Sequence, residues 1–308
     1  MHWTLTIPDS FSLSHMIRRS LNCGQFPLLQ PPFSVSRSKE RLNRVERLQS
    51  GHTVYLTLSQ TPAGLVLQTD ERLTGSDTEE ISQKTRRMLR LGENLQPFLD
   101  IARHTPGLET ALHNGAHILR GATLFEDVIK AIVLTQEEKA RQGQCITWIV
   151  DRFGDPLPSN PTRHAFPMPQ QILLGKEGLS KVFSSDIASK LIRVAERFHK
   201  EGKRIETLTE EKRSTDTLAA ELAKLLGLES ESLGLVMLNL GRYDYIPAQC
   251  IQQQTFSSDK KAKNMPHDTR AVFEPLQPWG GLACWLWDWS VVDNTDVSIP
   301  TGGVEWRA

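Results

Sequence analysis

Residues 222–250, LAKLLGLESESLGLVMLNLGRYDYIPAQC, decide the fold. Their apolar residues, with those just upstream, predict helices at about 216–227 and 231–240. The short segment Gly227-Leu228-Glu229 separates these helices, and the turn GRYD (241–244) follows the second one. The stretch therefore predicts two helices joined by a short connection, which together with the turn that follows span about 216–250.

The segments upstream of this unit are also helical in pattern. In TLFEDVIKAIVLTQ (123–136), Thr123 and Glu126 have the spacing of a capping box at a helix start. The apolar residues that follow repeat at helical spacing: Phe125, Val128, Ile129, Ile132 and Val133. Further helices are predicted at 143–154 and about 184–201, with a proline-rich loop at 154–169 between them.

The first 80 residues have a different pattern. VYLTLSQTPAGLVLQTD (54–70) alternates in part with period two around Pro62-Ala63-Gly64, which predicts a hairpin. We therefore predict a mainly α protein with a small β-containing N-terminal part (α+β). Its strand-rich N-terminal subdomain is expected at 1–80 and its helical body at 81–308.

The composition argues against several classes of protein. The 308 residues are 39% hydrophobic and 23% charged, as expected for a globular chain. No segment approaches the length of apolar sequence that spans a membrane, and the N-terminus does not resemble a secretory signal. The four cysteines are widely spaced and no histidine pair has metal-ligand spacing, so no metal and no cofactor are expected. A cytoplasmic location is the simplest expectation.

Basic residues cluster locally although the formal net charge is zero, with 36 basic and 36 acidic residues. Such clusters are usually solvated surfaces, and the alternative is contact with phosphate. The three clusters comprise, first, Arg18, Arg19, Arg37, Lys39, Arg41, Arg44 and Arg47; second, Lys84, Arg86, Arg87 and Arg90; and third, Lys260, Lys261, Lys263 and Arg270.

Three segments together resemble the helix-hairpin-helix (HhH-GPD) superfamily of DNA glycosylases, which includes 3-methyladenine and 8-oxoguanine DNA glycosylases. They are LRGATLFEDVIKAIVLTQ (119–136), FPMPQQILLGKEGLSKVFSSDIASKLIRVAERF (166–198) and the opening stretch, in which GRYDYIP is the most specific motif. PWGGLACWLWDW (278–289) is similar to a tryptophan-rich closing helix of bacterial members. The resemblance covers about residues 80–290.

The resemblance implies double-stranded DNA with a damaged base as the partner. Such enzymes extrude a nucleotide and stabilise positive charge as the N-glycosidic bond breaks. The hairpin residues Gly227, Leu228 and Glu229 correspond to the DNA-binding hairpin. Gln136 corresponds to the side chain inserted beside the flipped base, or is a plain polar residue at a helix end. Trp279 and Trp285 are candidates for a base pocket, and core packing is the alternative for them.

The sequence departs from the family pattern at the residues that carry the chemistry. Gln249 stands where the family has its catalytic aspartate, and a neutral amide cannot act as a base near neutral pH. Asp244 is a weak substitute, because its simplest role is in the turn. Glu229 replaces the second hairpin glycine, and Glu231 occupies the position of the Schiff-base lysine.

Three functions are therefore open. The chain is an active monofunctional glycosylase that hydrolyses alkylated or oxidised bases, a catalytically silent relative that binds DNA, or a helical module that binds a protein partner.

Overall fold

The computed structural model describes residues 1–22, 29–36, 38, 40–247 and 269–287. Strands occupy His2–Leu5 (β1), Phe33–Val35 (β2), Arg41–Arg47 (β3), Thr53–Thr61 (β4), Gly64–Thr69 (β5), Pro156–Leu157 (β6) and Asn160–His164 (β7). Helices occupy Leu13–Asn22 (α1), Gly75–Leu89 (α2), Gln96–Ala102 (α3), Glu109–Asn114 (α4), Leu124–Gln136 (α5), Lys139–Phe153 (α6), Pro169–Leu174 (α7), Ser185–Glu210 (α8), Thr215–Leu226 (α9), Ser230–Asn239 (α10), Thr269–Phe273 (α11) and Gly280–Leu286 (α12). Within these residues no helix has the length and apolar character needed to cross a bilayer.

The N-terminal part is a five-stranded antiparallel sheet with strand order β1-β5-β4-β3-β2. The expected hairpin is present, since β4 and β5 pair directly and Thr61 lies opposite Gly64. The alternation of the sequence places Leu56, Leu58 and Leu67 in a core under the sheet. The fold class is therefore confirmed as helical with a small N-terminal sheet.

The sheet and the helical body have separate apolar clusters, and α2 contributes to the cluster of the sheet. The core of the sheet includes Ile81, Met88 and Leu89 of α2, so its packing continues past residue 80. A boundary at residue 80 stays a prediction. The larger core surrounds α5, which is buried from Leu124 to Leu134.

Two local predictions are corrected by the structure. Thr123 caps α5 by accepting a hydrogen bond from the Glu126 backbone N–H at 3.2 Å, but the Glu126 carboxylate accepts from the Ala122 N–H rather than completing a capping box. The segment 154–169 is not entirely a loop, because β6 and β7 pair within it. Proline at strand ends is compatible with such a short, exposed ribbon.

Candidate functional site

The N-terminal end of α5 carries a carboxylate that is fully enclosed by protein. Glu126 accepts two hydrogen bonds from the Arg44 guanidinium at 3.0 and 2.7 Å, and one from Lys130 Nζ at 2.7 Å. Burial alone would raise the pKa of Glu126, but the charges of Arg44 and Lys130 outweigh burial and hold that pKa well below its usual range. Glu46 binds Arg44 from the other side at 2.5 Å. This cluster ties β3 to α5.

The next residue, Asp127, is a second buried carboxylate. It accepts from the Gly121 N–H at 2.6 Å and from the Arg120 guanidinium at 3.0 and 2.7 Å. Both acidic residues of the LFED motif are therefore buried and hydrogen-bonded within the protein.

Burial corrects the interpretation of the basic clusters as solvated surfaces at two of their residues. Arg44 is 1% exposed and Arg90 is 6% exposed. Arg90 binds Glu93 and the backbone carbonyl of Asn239. A buried guanidinium with such partners joins structural elements and is not available to bind phosphate. Arg37, Lys39 and residues 260–263 lie outside the described residues.

The GRYD turn (241–244) is held by aromatic packing and by Arg90, whose guanidinium lies over the Tyr243 ring. The hydroxyl of the buried Tyr243 donates to Glu93 Oε2 at 2.7 Å, and the Tyr243 ring stacks on Trp279 with ring centres 5.6 Å apart. Burial raises the pKa of Tyr243 well above its usual range. The Gly281 N–H donates to the Tyr243 carbonyl at 2.7 Å, so α12 docks directly on the turn.

Asp244 points to the start of α9. Its carboxylate accepts from the Thr215 hydroxyl at 2.8 Å, and its backbone carbonyl accepts from the Gln277 side chain at 3.0 Å. Its side chain is exposed. The turn role expected for Asp244 agrees with these contacts, whereas a catalytic role stays a prediction.

The remaining predicted catalytic position, Gln249, lies outside the described residues. Of the two candidate pocket tryptophans, Trp279 is half-buried between Tyr243 and Phe98, and Trp285 is 6% exposed within α12. Contact of either ring with a base stays a prediction.

Two backbone N–H groups of the hairpin already donate hydrogen bonds to the preceding helix. Gly227 has the left-handed conformation (φ 68°) that glycine adopts readily, and it ends α9. The N–H groups of Gly227 and Leu228 both donate to the Ala223 carbonyl, at 2.8 and 3.2 Å. Leu228 is 8% exposed and packs in the core. These two N–H groups are therefore engaged within the protein and are not aimed at a phosphate.

Side chains at the hairpin form an ion-pair network that the sequence did not reveal. Lys190 Nζ of α8 donates to Glu229 Oε1 at 2.5 Å, to Asp186 at 2.7 Å and to Gln136 Oε1 at 3.2 Å. The Gln136 amide Nε2 in turn donates to Glu229 Oε2 at 3.2 Å. Partial burial would lower the pKa of Lys190, but its hydrogen bonds to Asp186 and Glu229 raise it. We refer to Gln136, Lys190 and Glu229 as the hairpin clamp.

The hairpin clamp borders an open cavity of about 420 Å³. The lining is polar and also includes Thr135, Ser184 and Glu231. The Thr135 and Ser232 hydroxyls lie 2.6 Å apart and join the end of α5 to the start of α10. The structure thus brings Gln136, from the motif at 119–136, next to Glu229 and Glu231 of the hairpin motif. A lysine on α8 supplies the only cation among the residues that line this cavity.

The fold is that of known DNA glycosylases. No protein-family model and no curated protein sequence matches the chain. Solved structures match it over nearly its whole length. The 3-methyladenine DNA glycosylase from Archaeoglobus fulgidus is 17% identical with a TM-score of 0.68, covering 93% of this chain and 96% of that one. The 8-oxoguanine glycosylase/lyase of Clostridium acetobutylicum in its apo form is 15% identical with a TM-score of 0.66, covering 93% and 97%.

The Clostridium acetobutylicum enzyme also matches in complex with double-stranded DNA that contains cytosine opposite 8-oxoG, at 14% identity and a TM-score of 0.65, covering 93% of this chain and 96% of that one. These likenesses show that the chain has the helix-hairpin-helix DNA glycosylase fold predicted from its motifs.

Proposed function

We propose that this protein binds double-stranded DNA at damaged bases and has lost the hydrolytic step of the DNA glycosylases. Two points carry this proposal: the glycosylase fold extends over 93% of the chain, and the motif resemblance predicts a neutral Gln249 in place of the catalytic aspartate. A carboxylate at that position stabilises the oxocarbenium-like transition state, and an amide supplies no negative charge.

The described carboxylates around the candidate site support the loss of hydrolysis. Glu126 and Asp127 are each enclosed by arginine or lysine partners. Glu93 binds Arg90 and Tyr243, and Asp244 accepts from Thr215. Each of these acids already serves as a structural acceptor. A bifunctional lyase reaction is disfavoured as well, because Glu231 replaces the lysine that would form a Schiff base.

Base release measured on defined duplexes tests the proposal. Duplexes carrying 3-methyladenine, hypoxanthine or 8-oxoguanine are incubated with the protein, and abasic sites are then quantified. We expect the unmodified protein to bind at least one of these duplexes and to release base at the background rate. Gln249→Asp restores the carboxylate, and we expect it to raise the rate by about 10²-fold or more, the usual contribution of such a group.

Asp244→Asn is the matched control, because it removes the carboxylate that lies five residues before Gln249 in the sequence. It should leave the rate of Gln249→Asp unchanged. Base release by the unmodified protein that Asp244→Asn abolishes would show that Asp244 is the catalytic carboxylate and that the protein is an active glycosylase. Absence of duplex binding at low salt would favour a protein-binding module instead.

A further inference from the structure

The Glu229 carboxylate is held at the hairpin by two side-chain donors from other helices. It accepts one hydrogen bond from the Lys190 ammonium at 2.5 Å and one from the Gln136 amide at 3.2 Å. An ammonium beside an amide N–H is also a donor set that proteins present to phosphate oxygens. We propose that Lys190 binds a DNA backbone phosphate in the position now held by the Glu229 carboxylate, and that this exchange releases the Gln136 amide N–H from Glu229. The inference rests on the proposed DNA binding.

A side-chain cation is needed at this hairpin because part of its backbone is unavailable. The Gly227 and Leu228 N–H groups are both bonded to the Ala223 carbonyl. Glu229 also brings negative charge to the loop, which opposes phosphate unless the carboxylate moves away. Lys190 compensates that charge in the free protein. When phosphate arrives, the same ammonium can exchange one anion for another.

The geometry allows Glu229 to leave while Lys190 stays in place. The Glu229 side chain is 56% exposed and caps no N–H of α10. The Lys190 side chain is only 14% exposed and keeps a second partner, Asp186, on its own helix. An exposed ion pair of this kind is weak and screened by salt, so a multivalent polyanion can compete for the cation.

Arg193 extends the cationic surface next to the clamp. It is exposed and lies one helical turn beyond Lys190 on α8. Its guanidinium passes so close to the hairpin that a Cβ added to Gly227 would lie 2.8 Å from Arg193 Nη1. Among the described residues, Arg193 forms no ion pair. Lys190 and Arg193 together therefore present two cations to a strand that runs past the hairpin.

Duplex affinity measured against salt concentration tests this exchange. Glu229→Gln removes the internal anion, and we expect about fivefold tighter binding at low salt, because one more cation is available to phosphate. The slope of log affinity against log salt should steepen by about 0.9, the value for one added phosphate contact. Fluorescence anisotropy with a labelled duplex, at NaCl concentrations from about 50 to 300 mM, measures both quantities.

Glu201→Gln is the matched control on the same helix. Glu201 binds Arg197 at 3.2 Å and Arg204 at 2.7 Å, so its removal changes the net charge equally and frees arginines away from the hairpin. We expect Glu201→Gln to change the affinity less than twofold. An equal gain in both variants would overturn the proposal, because the effect would then come from net charge alone.

Lys190→Met separates exchange at one site from general repulsion. In this background Glu229→Gln should gain less than twofold, since the cation that it releases is absent. The same fivefold gain with and without Lys190 would overturn the proposal. If the unmodified protein binds duplex and Glu229→Gln binds it identically, the exchange site is refuted and the proposed DNA binding stands. If no variant binds at low salt, both are refuted.

Discussion

The two ends of α5 carry similar ion-pair chemistry in opposite surroundings. At the N-terminal end, the Glu126 and Arg44 side chains are 1% and 2% exposed. At the C-terminal end, Gln136 joins a pair in which the Lys190 and Glu229 side chains are 14% and 56% exposed. The difference teaches which charges can change partners. A buried pair cannot open without leaving a charge in a low-dielectric interior, whereas an exposed pair can exchange its anion for one from solution.

Because of this difference, we expect the two ends of α5 to have different roles. The buried cluster joins β3 to α5 and so holds the sheet against the helical body. The exposed hairpin clamp joins α5 and α8 to the hairpin, where we propose that phosphate binds. We therefore expect substitutions at the first end to change stability and substitutions at the second end to change binding.

The largest expected effect is on stability, from Glu126→Gln. The amide leaves the buried cations Arg44 and Lys130 without their shared anion, which should lower the free energy of unfolding by about 3–5 kcal/mol. Urea denaturation followed by circular dichroism measures the loss.

Lys130→Met is the control for that loss. It should lower the free energy of unfolding less than Glu126→Gln does. Glu126 still accepts both hydrogen bonds from Arg44 and the one from the Ala122 N–H. If Glu126→Gln cost less than about 1 kcal/mol, the cluster would be no more important than a surface pair, and the contrast between the two ends would fail.

A smaller change in stability is expected when the pH is lowered, and it also arises from a buried residue. His117 is 7% exposed, and among the described residues its Nε2 has no hydrogen-bond partner. Burial lowers the pKa of His117, assisted by the charge of Arg90 and opposed by that of Glu93. The unfolded chain therefore binds the proton more readily than the folded one. Stability is full above the ordinary pKa of 6.5 and is lost as the pH falls below it.

Unfolding measured between about pH 8 and pH 5.5 checks this direction. His117→Phe removes the titrating group and preserves a ring that can pack against Phe11, which the imidazole meets edge to face at 5.3 Å. The variant should lose less stability than the unmodified protein over this range. Parallel curves for the two proteins would show that His117 is not the source of the acid sensitivity.

Sequence patterning predicted the fold because its signals are local. The alternation in 54–70 predicted the hairpin, the helical spacing in 123–136 predicted α5, and Thr123 marked the start of that helix. The sequence could not show which charges are buried. Arg44 stands in a run of basic residues that reads as a solvated surface, yet its partner Glu126 is 82 positions away.

The hairpin clamp was missed for a related reason. The partners of Lys190 at the hairpin and at the end of α5 are 39 and 54 positions away in sequence. In the sequence, Lys190 is one of several cations on an amphipathic helix. The unusual glutamate at position 229 was a signal that the hairpin differs from the family pattern. Only the fold shows that a lysine compensates its charge.

The smallest expected effect is on stability at the exposed end, and it separates the two ends most sharply. Glu229→Gln should change the free energy of unfolding by no more than about 0.5–1 kcal/mol, because the pair is solvent-exposed and its charges are screened. The difference between the variant and the unmodified protein should shrink further at about 1 M NaCl, where the Debye length is only about 3 Å. Urea denaturation at low and high salt measures both quantities. A loss above about 2 kcal/mol would mean that Glu229 is needed to hold the hairpin, and a carboxylate with that structural role could not be the one that gives way to phosphate.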